Sequence, residues 1–408
     1  MKTLVRDFSL SAAVAGFIAT VISYAGPLVI IFQAAETAHL SREVLSSWVW
    51  AISIGSAVLG IGLSLRYRVP VIIAWSAPGS ALLVALLPGI SMPEAVGAYL
   101  VSSLIIFLVG VSGAFDRIIG KLPAAIAAAM LAGILFSFGT GLFVSLQGKP
   151  LLVLVLAMFA TYLICKRVMP RYAVLMVLLV GCSIAFLAGD LHREALVIGL
   201  ATPVWITPAF SLSATLNIAL PLVMVALTGQ FVPGMAVLRA SGYSTPAGPI
   251  IASSALGTAL LAPFGCHGLN LAAITAAICT GREAHENPGK RYVAGVVGGL
   301  CYLVLGIFGA TLVSLFSAFP KELIAALAGL ALFSAIAGAL AGAMAVPSDR
   351  EAALVTFLTT ASGMSLFGLS AAFWGLIFGM VTHLFLSARR PVPSGEIAAI
   401  ESLQPVDQ

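Results

Sequence analysis

Two stretches of the chain place proline, glycine and polar residues within apolar sequence. They read VPVIIAWSAPGSALL over residues 69–83 and APFGCHGLNLAAIT over residues 262–275. A helix that begins at such a break has unpaired amide hydrogens and about half a positive charge at its N-terminus. Two such helix starts that meet inside a membrane can bind an anion without lysine or arginine. The alternative interpretation is a proline kink in each of two ordinary helices.

The first stretch predicts a strand over residues 71–75, because this run is short and rich in β-branched residues. A half-helix over residues 80–87 then completes the crossing. The cap and first turn of that helix are the four residues at the break, Ser76, Ala77, Pro78 and Gly79.

The second stretch predicts an extended segment over residues 263–267 and a helix from about Asn270 to Thr280. One crossing runs outward and the other inward, so both half-helices begin near the midplane and point at a common centre. The amides of the first break are therefore expected to face those of the second, which belong to Gly268, Leu269 and Asn270.

Three polar side chains are expected at membrane depth, where a polar group is costly unless it faces a partner or a cavity. Gln230, in the run ALTGQFVPG, can donate to a carboxylate or can join two helices by a hydrogen bond. Asn270 either caps the second half-helix or contacts substrate. His267 either takes up a proton or packs as a neutral core residue. The aromatic residues near the breaks, which can hold a flat apolar group or simply pack, are Tyr24, Trp75, Phe231 and Phe264.

The composition requires lipid as the solvent for most of this chain. Of its 408 residues, 61% are hydrophobic and 9% are charged, against about 25% charged in soluble domains. Long unbroken apolar runs argue against a β-barrel, whose strands alternate. We attribute the net charge of +5 to cytoplasmic loops rather than to nucleic-acid binding. The five cysteines form no CxxC pair, so no metal and no other cofactor is expected.

Apolar runs separated by charges and by proline or glycine predict fourteen crossings, with both termini in the cytoplasm. In this arrangement 16 of the 20 lysines and arginines lie on the cytoplasmic side. One wrong crossing would reverse the bias in every later loop, so the bias supports the count. Fourteen divides into two halves of seven, and odd-numbered halves are inverted relative to each other. The two breaks then occupy the third place of each half.

The carboxylates indicate the charge of the substrate. All 15 aspartates and glutamates are expected at span ends, in loops or in the C-terminal tail. A site for a neutral base gains from a carboxylate that accepts its N–H donors, whereas a site for an anion is better without one. The pattern therefore favours an anionic substrate.

Five groups of motifs extend along the chain. They are YRVPV at 67–71, AWS with PG and ALL over 74–83, AAAMLAGIL at 127–135, PFG with AAITAAIC over 263–279, and FWGLI at 373–377. In these motifs the sequence resembles the benzoate/proton symporter family, called BenE, within the superfamily of nucleobase–ascorbate and sulfate permeases. The resemblance covers essentially residues 5–390.

The resemblance implies an all-α membrane fold in a 7+7 inverted repeat that moves a core domain against a gate domain, often as a homodimer. The core, which carries the site, corresponds to residues 1–121 and 213–318. The gate corresponds to residues 122–212 and 319–390. The three prolines and two glutamates of residues 391–408 predict a disordered cytoplasmic tail.

Two positions depart from the nucleobase relatives. Those relatives have a glutamate at the place of Gln230, and the resemblance implies that a further carboxylate of theirs is replaced around residues 268–270. Both departures fit an acidic substrate, and they argue against copying the proton-coupling scheme of the nucleobase carriers.

We therefore expect a symporter of the bacterial inner membrane that imports an aromatic carboxylate, benzoate in this family, together with a proton. The proton travels either on His267 or on the carboxyl group of the substrate. The alternatives are a nucleobase or inorganic-anion carrier of the same fold and an uncoupled anion channel. An intramembrane enzyme is the weakest alternative, because the chain has no HExxH, GxSxG or P-loop motif.

Overall fold

A computed structural model describes residues 2–115, 117, 123–146, 152–191, 194, 196–367 and 369–387 of the chain. The helices before residue 190 are α1 Lys2–Asp7, α2 Leu10–Ala25, α3 Pro27–Thr37, α4 Arg42–Tyr67, α5 Ala77–Leu86, α6 Met92–Val111, α7 Ala124–Ser145, α8 Leu152–Val168 and α9 Ala173–Ala188. Strand β1, Ile73–Trp75, precedes α5.

The later helices are α10 Leu212–Ala240, α11 Ala247–Leu261, α12 Ile274–Thr280, α13 Tyr292–Ile307, α14 Gly309–Ser317, α15 Lys321–Ala343, α16 Arg350–Ala361 and α17 Ala371–Ser387. Strand β2, Leu269–Leu271, precedes α12. A second small antiparallel pair, β3 Ser365–Leu366 and β4 Leu369–Ser370, precedes α17.

Most of the described helices are apolar enough to lie in a membrane. Within the described residues, eight helical spans have the length and composition to cross it, with α2 and α3 together forming one span. Helices α5, α9 and α17 are shorter and equally apolar. The chain is therefore a multi-pass, largely helical membrane protein.

The helices pack in two groups. In the first, α13 packs along α2 and α4, α6 packs along α11, and α5 packs against α3. In the second, α7 packs against α15 and α16, α16 against α17, and α8 against α9. The groups meet where α15 contacts α3, where α9 contacts α2, and where α7 contacts both α5 and the middle of α10.

An irregular segment at residues 196–211 precedes α10 and lies along the first group of helices. The Ile206 amide donates to the Pro263 carbonyl at 2.8 Å, and the Ala209 amide donates to the Pro93 carbonyl at 2.9 Å. These hydrogen bonds attach the segment to the second break and to the start of α6. The boundary expected from the sequence between residues 212 and 213 stays a prediction.

Antiparallel pairing of β1 and β2 joins the two broken stretches. The paired residues are Ile73 with Leu271, Ala74 with Asn270, and Trp75 with Leu269. The Ala272 amide extends the pairing by donating to the Ile72 carbonyl at 2.9 Å. A backbone group without a partner at membrane depth costs several kcal/mol. The pairing therefore lets both stretches be extended inside the protein and sets how far apart α5 and α12 begin.

Close contact between α2 and α13 holds this arrangement from one side. A Cβ atom added at Gly16 would overlap the Ala294 carbonyl oxygen, and would lie 2.8 Å from the Gly298 amide nitrogen. Because the backbones are this close, the Thr20 hydroxyl can donate to the Gly298 carbonyl at 3.1 Å. Small residues allow such backbone approach between membrane helices.

We predict that G16A lowers the free energy of unfolding by about 1–3 kcal/mol or more, because the added methyl group overlaps backbone that cannot move alone. Gly62, in α4, is the matched control, since a Cβ added there meets no atom within 4 Å. G62A should be neutral, or stabilising by up to about 1 kcal/mol through helix propensity. Thermal unfolding in detergent measures both, and equal melting temperatures for the two variants would contradict the packing argument.

A buried carboxylate fixes the end of α4 that leads into the first break. Asp7 is 4% exposed. It accepts hydrogen bonds from Arg68 Nη1 at 2.9 Å and from the Tyr292 hydroxyl at 3.1 Å. Burial raises the pKa of Asp7, but the hydrogen bonds from Tyr292 and Arg68, together with the charges of Arg6 and Arg68, bring it below its ordinary value.

We predict that D7N lowers the melting temperature at pH 7 by several degrees. Because the pKa of Asp7 is lowered by folding, its stabilisation is complete above the ordinary aspartate pKa of about 3.9 and is lost as the pH falls through the lowered value. The difference between D7N and the unmodified protein should therefore shrink as the pH falls below about 4. R6A is the control, since Arg6 lies 3.7 Å from Asp7 with its side chain 77% exposed and should contribute little. A difference that is the same at pH 3.5 and pH 7 would contradict this assignment.

Candidate functional site

Most backbone N–H groups at the start of α5 already donate hydrogen bonds to Ser76, at the N-cap of this helix. The Gly79 amide donates to Ser76 Oγ at 2.9 Å, and the Ser80 amide donates to the Ser76 carbonyl at 2.8 Å. Pro78 has no amide hydrogen. Of the first four residues of the helix, only Ala77 has a backbone N–H without an acceptor. This break therefore offers an anion fewer hydrogen-bond donors than the sequence pattern suggested.

The second break differs from the predicted one. Residues Ala262–Phe264 form a 3₁₀ turn, and Gly265 follows with φ +102°, so the expected extended segment over 263–267 is wrong. Asn270 lies within β2 rather than at the start of a helix, and α12 begins later, at Ile274. The physical reason is the pairing with β1, which selects residues 269–271 as the extended part.

His267 connects the second break to the first. Its Nδ1 accepts a hydrogen bond from Trp48 Nε1 at 3.0 Å. Its Nε2 lies 2.9 Å from Ser80 Oγ and 3.4 Å from the Ser76 carbonyl oxygen. All of these side chains are buried, so the first turn of α5 is attached to the loop before β2.

A small polar cavity lies between the two breaks and helices α6, α10 and α11. Its polar lining residues are Ser76, Ser102, Ser103, Thr258, His267 and Asn270, and its backbone wall includes Gly268 and Leu269. The cavity volume is about 10 Å³, which leaves room for one water molecule. A benzene ring does not fit there in this conformation.

Asn270 is the unpartnered side chain of this polar cavity. Asn270 is 2% exposed, and no described residue forms a hydrogen bond with its side-chain amide, Oδ1 and Nδ2. The other polar lining residues differ from it, since Ser102 and Ser103 donate to the Tyr99 carbonyl at 2.9 and 2.6 Å. A buried amide without partners costs free energy. Such a group is expected where a ligand or water completes its hydrogen bonds.

Gln230 occupies a π-helical turn in the middle of α10. The turn spans Leu227–Phe231 and packs against β2 and α7, where the two groups of helices meet. Gln230 is half-buried, and no described residue forms a hydrogen bond with its side chain. Within the described residues, the Gln230 side chain therefore does not join two helices by a hydrogen bond, which was the alternative that the sequence left open. Single π turns within helices occur frequently at functional sites.

The structure places two of the predicted aromatic residues together, away from the lining of the polar cavity. The Tyr24 and Trp75 ring centroids are 5.2 Å apart, and Tyr302 lies 5.6 Å from Tyr24 and 6.0 Å from Trp75. All three are buried. They form a packed cluster behind β1.

The other two predicted aromatic residues lie in different surroundings. Phe264 packs edge-on against Trp50 and Trp205, with centroids 5.6 and 5.4 Å away. Phe231 ends the π turn and is fully buried. The four predicted aromatic residues thus do not form one sandwich around a common ligand position in this conformation.

Sequence reasoning missed several residues that build the site. Trp48, Ser80 and Tyr99 hold or surround His267, and Ser102, Ser103 and Thr258 line the polar cavity. The adjacent serines within the apolar run of α6 are the signal that could have found them. Nothing near Trp48 in the sequence distinguishes it from a packing residue.

Two broken stretches that pair inside an apolar helical bundle, beside polar side chains without a described partner, are typical of the membrane transporters. Comparison with known proteins identifies the family. The family model described as "Benzoate membrane transport protein", BenE, matches residues 6–385. The chain belongs to this family.

Individual relatives agree with this assignment. The chain is 52% identical over 386 residues to the benzoate membrane transport protein of Acinetobacter baylyi, covering 95% of this chain and 98% of the relative. It is 42% identical over 373 residues to the inner membrane protein YdcO of Escherichia coli, covering 91% and 95%. The transmembrane domain of the cyanobacterial bicarbonate transporter BicA has a similar fold, with a TM-score of 0.58 and 15% identity over 93% of this chain and 97% of that domain.

We predict that N270A changes the free energy of unfolding by less than about 1 kcal/mol, because the Asn270 amide has no partner to lose. Asn217 is the matched comparison. It is 5% exposed, and it accepts from the Ser370 amide at 2.6 Å and donates to Ser213 Oγ at 3.1 Å. N217A should cost about 1–3 kcal/mol in thermal or denaturant unfolding. Equal costs for the two variants would show that Asn270 is bonded in the folded protein.

Proposed function

We propose that this protein imports an aromatic carboxylate, benzoate in the first instance, together with a proton. The observation that carries the proposal is Gln230, whose half-buried side-chain amide has no hydrogen-bond partner among the described residues and lies at the junction of the paired breaks and α7. Its N–H groups can donate to a carboxylate, and its surroundings are apolar enough to accept a ring. The 52% identity to a benzoate membrane transport protein supports benzoate as the substrate.

The charge distribution supports an anionic substrate. Every carboxylate in the described residues lies in a loop or within the first or last turns of a helix, for example Glu36, Glu94 and Glu322. A substrate carboxylate near Gln230 therefore meets no like charge from the described chain. The Ala77 amide at the start of α5 supplies a further donor from the first break.

The proposed architecture follows the fold that this chain shares with the bicarbonate transporter. Fourteen crossings form a 7+7 inverted repeat in a bacterial inner membrane, with both termini in the cytoplasm. The first group of helices acts as the core and the second as the gate. The protein lies in the lipid bilayer and pairs with a second copy of the chain. The polar cavity between the breaks holds only one water molecule, and Gln230 does not line it. The core and the gate therefore separate near Gln230 in this proposal, which makes room for a ring.

The first test is uptake of labelled benzoate by proteoliposomes under an imposed inward proton gradient. We expect uptake well above that of empty liposomes, and faster uptake when the outside is acidic. Nucleobase and inorganic-anion carriers of this fold are the competing assignments, and excess uracil, sulfate or bicarbonate should leave benzoate uptake unchanged. Uptake no different from empty liposomes would refute the proposal, and benzoate currents that ignore the proton gradient would indicate an anion channel.

We predict that Q230E weakens benzoate binding at least about tenfold near neutral pH, because the new carboxylate repels the substrate carboxylate. Benzoate-induced stabilisation in a thermal-shift titration measures this affinity. The effect should diminish as the pH falls and the new glutamate becomes protonated. Q33E is the matched control, because Gln33 is also a half-buried glutamine, in α3, and it should bind as the unmodified protein does. Unchanged affinity of Q230E near neutral pH would remove Gln230 from the site.

A further inference from the structure

The bonds to His267 determine which of its nitrogens carries the proton. The indole N–H of Trp48 can only donate, and it points at Nδ1 from 3.0 Å. A protonated Nδ1 would place two hydrogens between these atoms, so Nδ1 must be an acceptor. The proton of the neutral ring therefore lies on Nε2.

The Nε2–H group in turn organises the first turn of α5. It donates to Ser80 Oγ at 2.9 Å. The Ser80 hydroxyl in turn donates to the Ser76 carbonyl oxygen, also at 2.9 Å. Ser76 is the residue whose Oγ caps the Gly79 amide. A chain of hydrogen bonds thus runs from α4 through His267 to the cap of α5, with every donor and acceptor in a fixed role.

Among the described residues no charged group faces His267, and the further acceptor near Nε2, the Ser76 carbonyl at 3.4 Å, is neutral. The side chains that face it from α4 and α5, Trp48 and Ser80, do not titrate. From α6, the Tyr99 ring lies 6.3 Å away, and Cys266 precedes His267 in the chain. Both of these groups are neutral when protonated, and among the described residues no carboxylate contacts His267.

We propose that His267 is a positioning residue that stays neutral through the transport cycle and carries no transported proton. It holds Ser80 and Ser76 so that α5 begins in the correct place opposite β2. This inference rests on the proposed proton-coupled transport and selects between its two proton routes. The proton must then travel with the substrate, as the neutral carboxylic acid or beside it, rather than on the protein's central histidine.

The tautomer is tested directly by ¹⁵N NMR of histidine-labelled protein in detergent or lipid. The chain has five histidines, so the His267 signal is assigned by its disappearance in H267Q. We expect one signal pair with Nδ1 unprotonated and Nε2 protonated, unchanged from pH 8 to pH 5 and with or without benzoate. A doubly protonated ring within this range, or the tautomer with hydrogen on Nδ1, would overturn the inference.

Transport by H267Q provides the second test. A glutamine can accept from Trp48 through Oε1 and donate to Ser80 through Nε2, but it cannot take up a proton in this pH range. We expect H267Q to keep its acceleration by an inward proton gradient, with KM raised less than about tenfold. A leucine side chain can neither accept from Trp48 nor donate to Ser80, so H267L should show a larger rise in KM.

The result that overturns the proposal is an H267Q protein that still binds benzoate in a thermal-shift assay but whose uptake no longer responds to the proton gradient. Thermal-shift binding also shows that each variant is folded. The two proposals fail separately, since absence of benzoate uptake by the unmodified protein refutes the proposed function, whereas the NMR signals decide the tautomer without any transport.

Discussion

The hydrogen bonds between β1 and β2 are the interaction on which the rest of this structure depends. Inside a membrane, extended backbone has no water to satisfy its amides and carbonyls, and each unpaired group costs several kcal/mol. The two broken stretches solve this problem for each other, since Ile73, Ala74 and Trp75 pair with Leu271, Asn270 and Leu269. This pairing allows two helices to begin inside the protein rather than at its surface.

The polar groups around the pairing divide into two sets. One set is fully bonded and rigid, and it includes the Ser76 cap, the Ser80 hydroxyl and the His267 ring held by Trp48. The other set has no hydrogen-bond partner among the described residues, and it includes the side-chain amides of Asn270 and Gln230, the indole N–H of Trp75 and the hydroxyl of Tyr99. Rigid bonded groups set positions and unpartnered groups remain free for a ligand. The division explains why two polar residues of similar depth can have different roles.

Features of the site that depend on residues close together in the chain could be predicted from the sequence. Features that depend on contacts between distant residues could not. The apolar runs that become α4, α7 and α15 are visible in the sequence, because each depends on hydropathy within one helix. Gln230 and His267 could be selected because polar residues are rare in such runs. The position of Asn270 was misjudged, since its place in β2 depends on a distant strand. The aromatic residues were grouped by their nearness to the breaks, but their rings turn to different neighbours.

The sequence by itself determined that this chain crosses a membrane many times, that its carboxylates lie at the ends of the apolar runs or between them, and that its motifs are those of the benzoate transport family. These properties depend on composition and on residues close together in the chain. Only the tertiary structure decided the pairing of β1 with β2, the hydrogen bond from Trp48 to His267 Nδ1, and the absence of a hydrogen-bond partner for the Gln230 side chain within the described part of the chain. Each of these depends on which distant residues meet, and at membrane depth a missing partner is as informative as a bond.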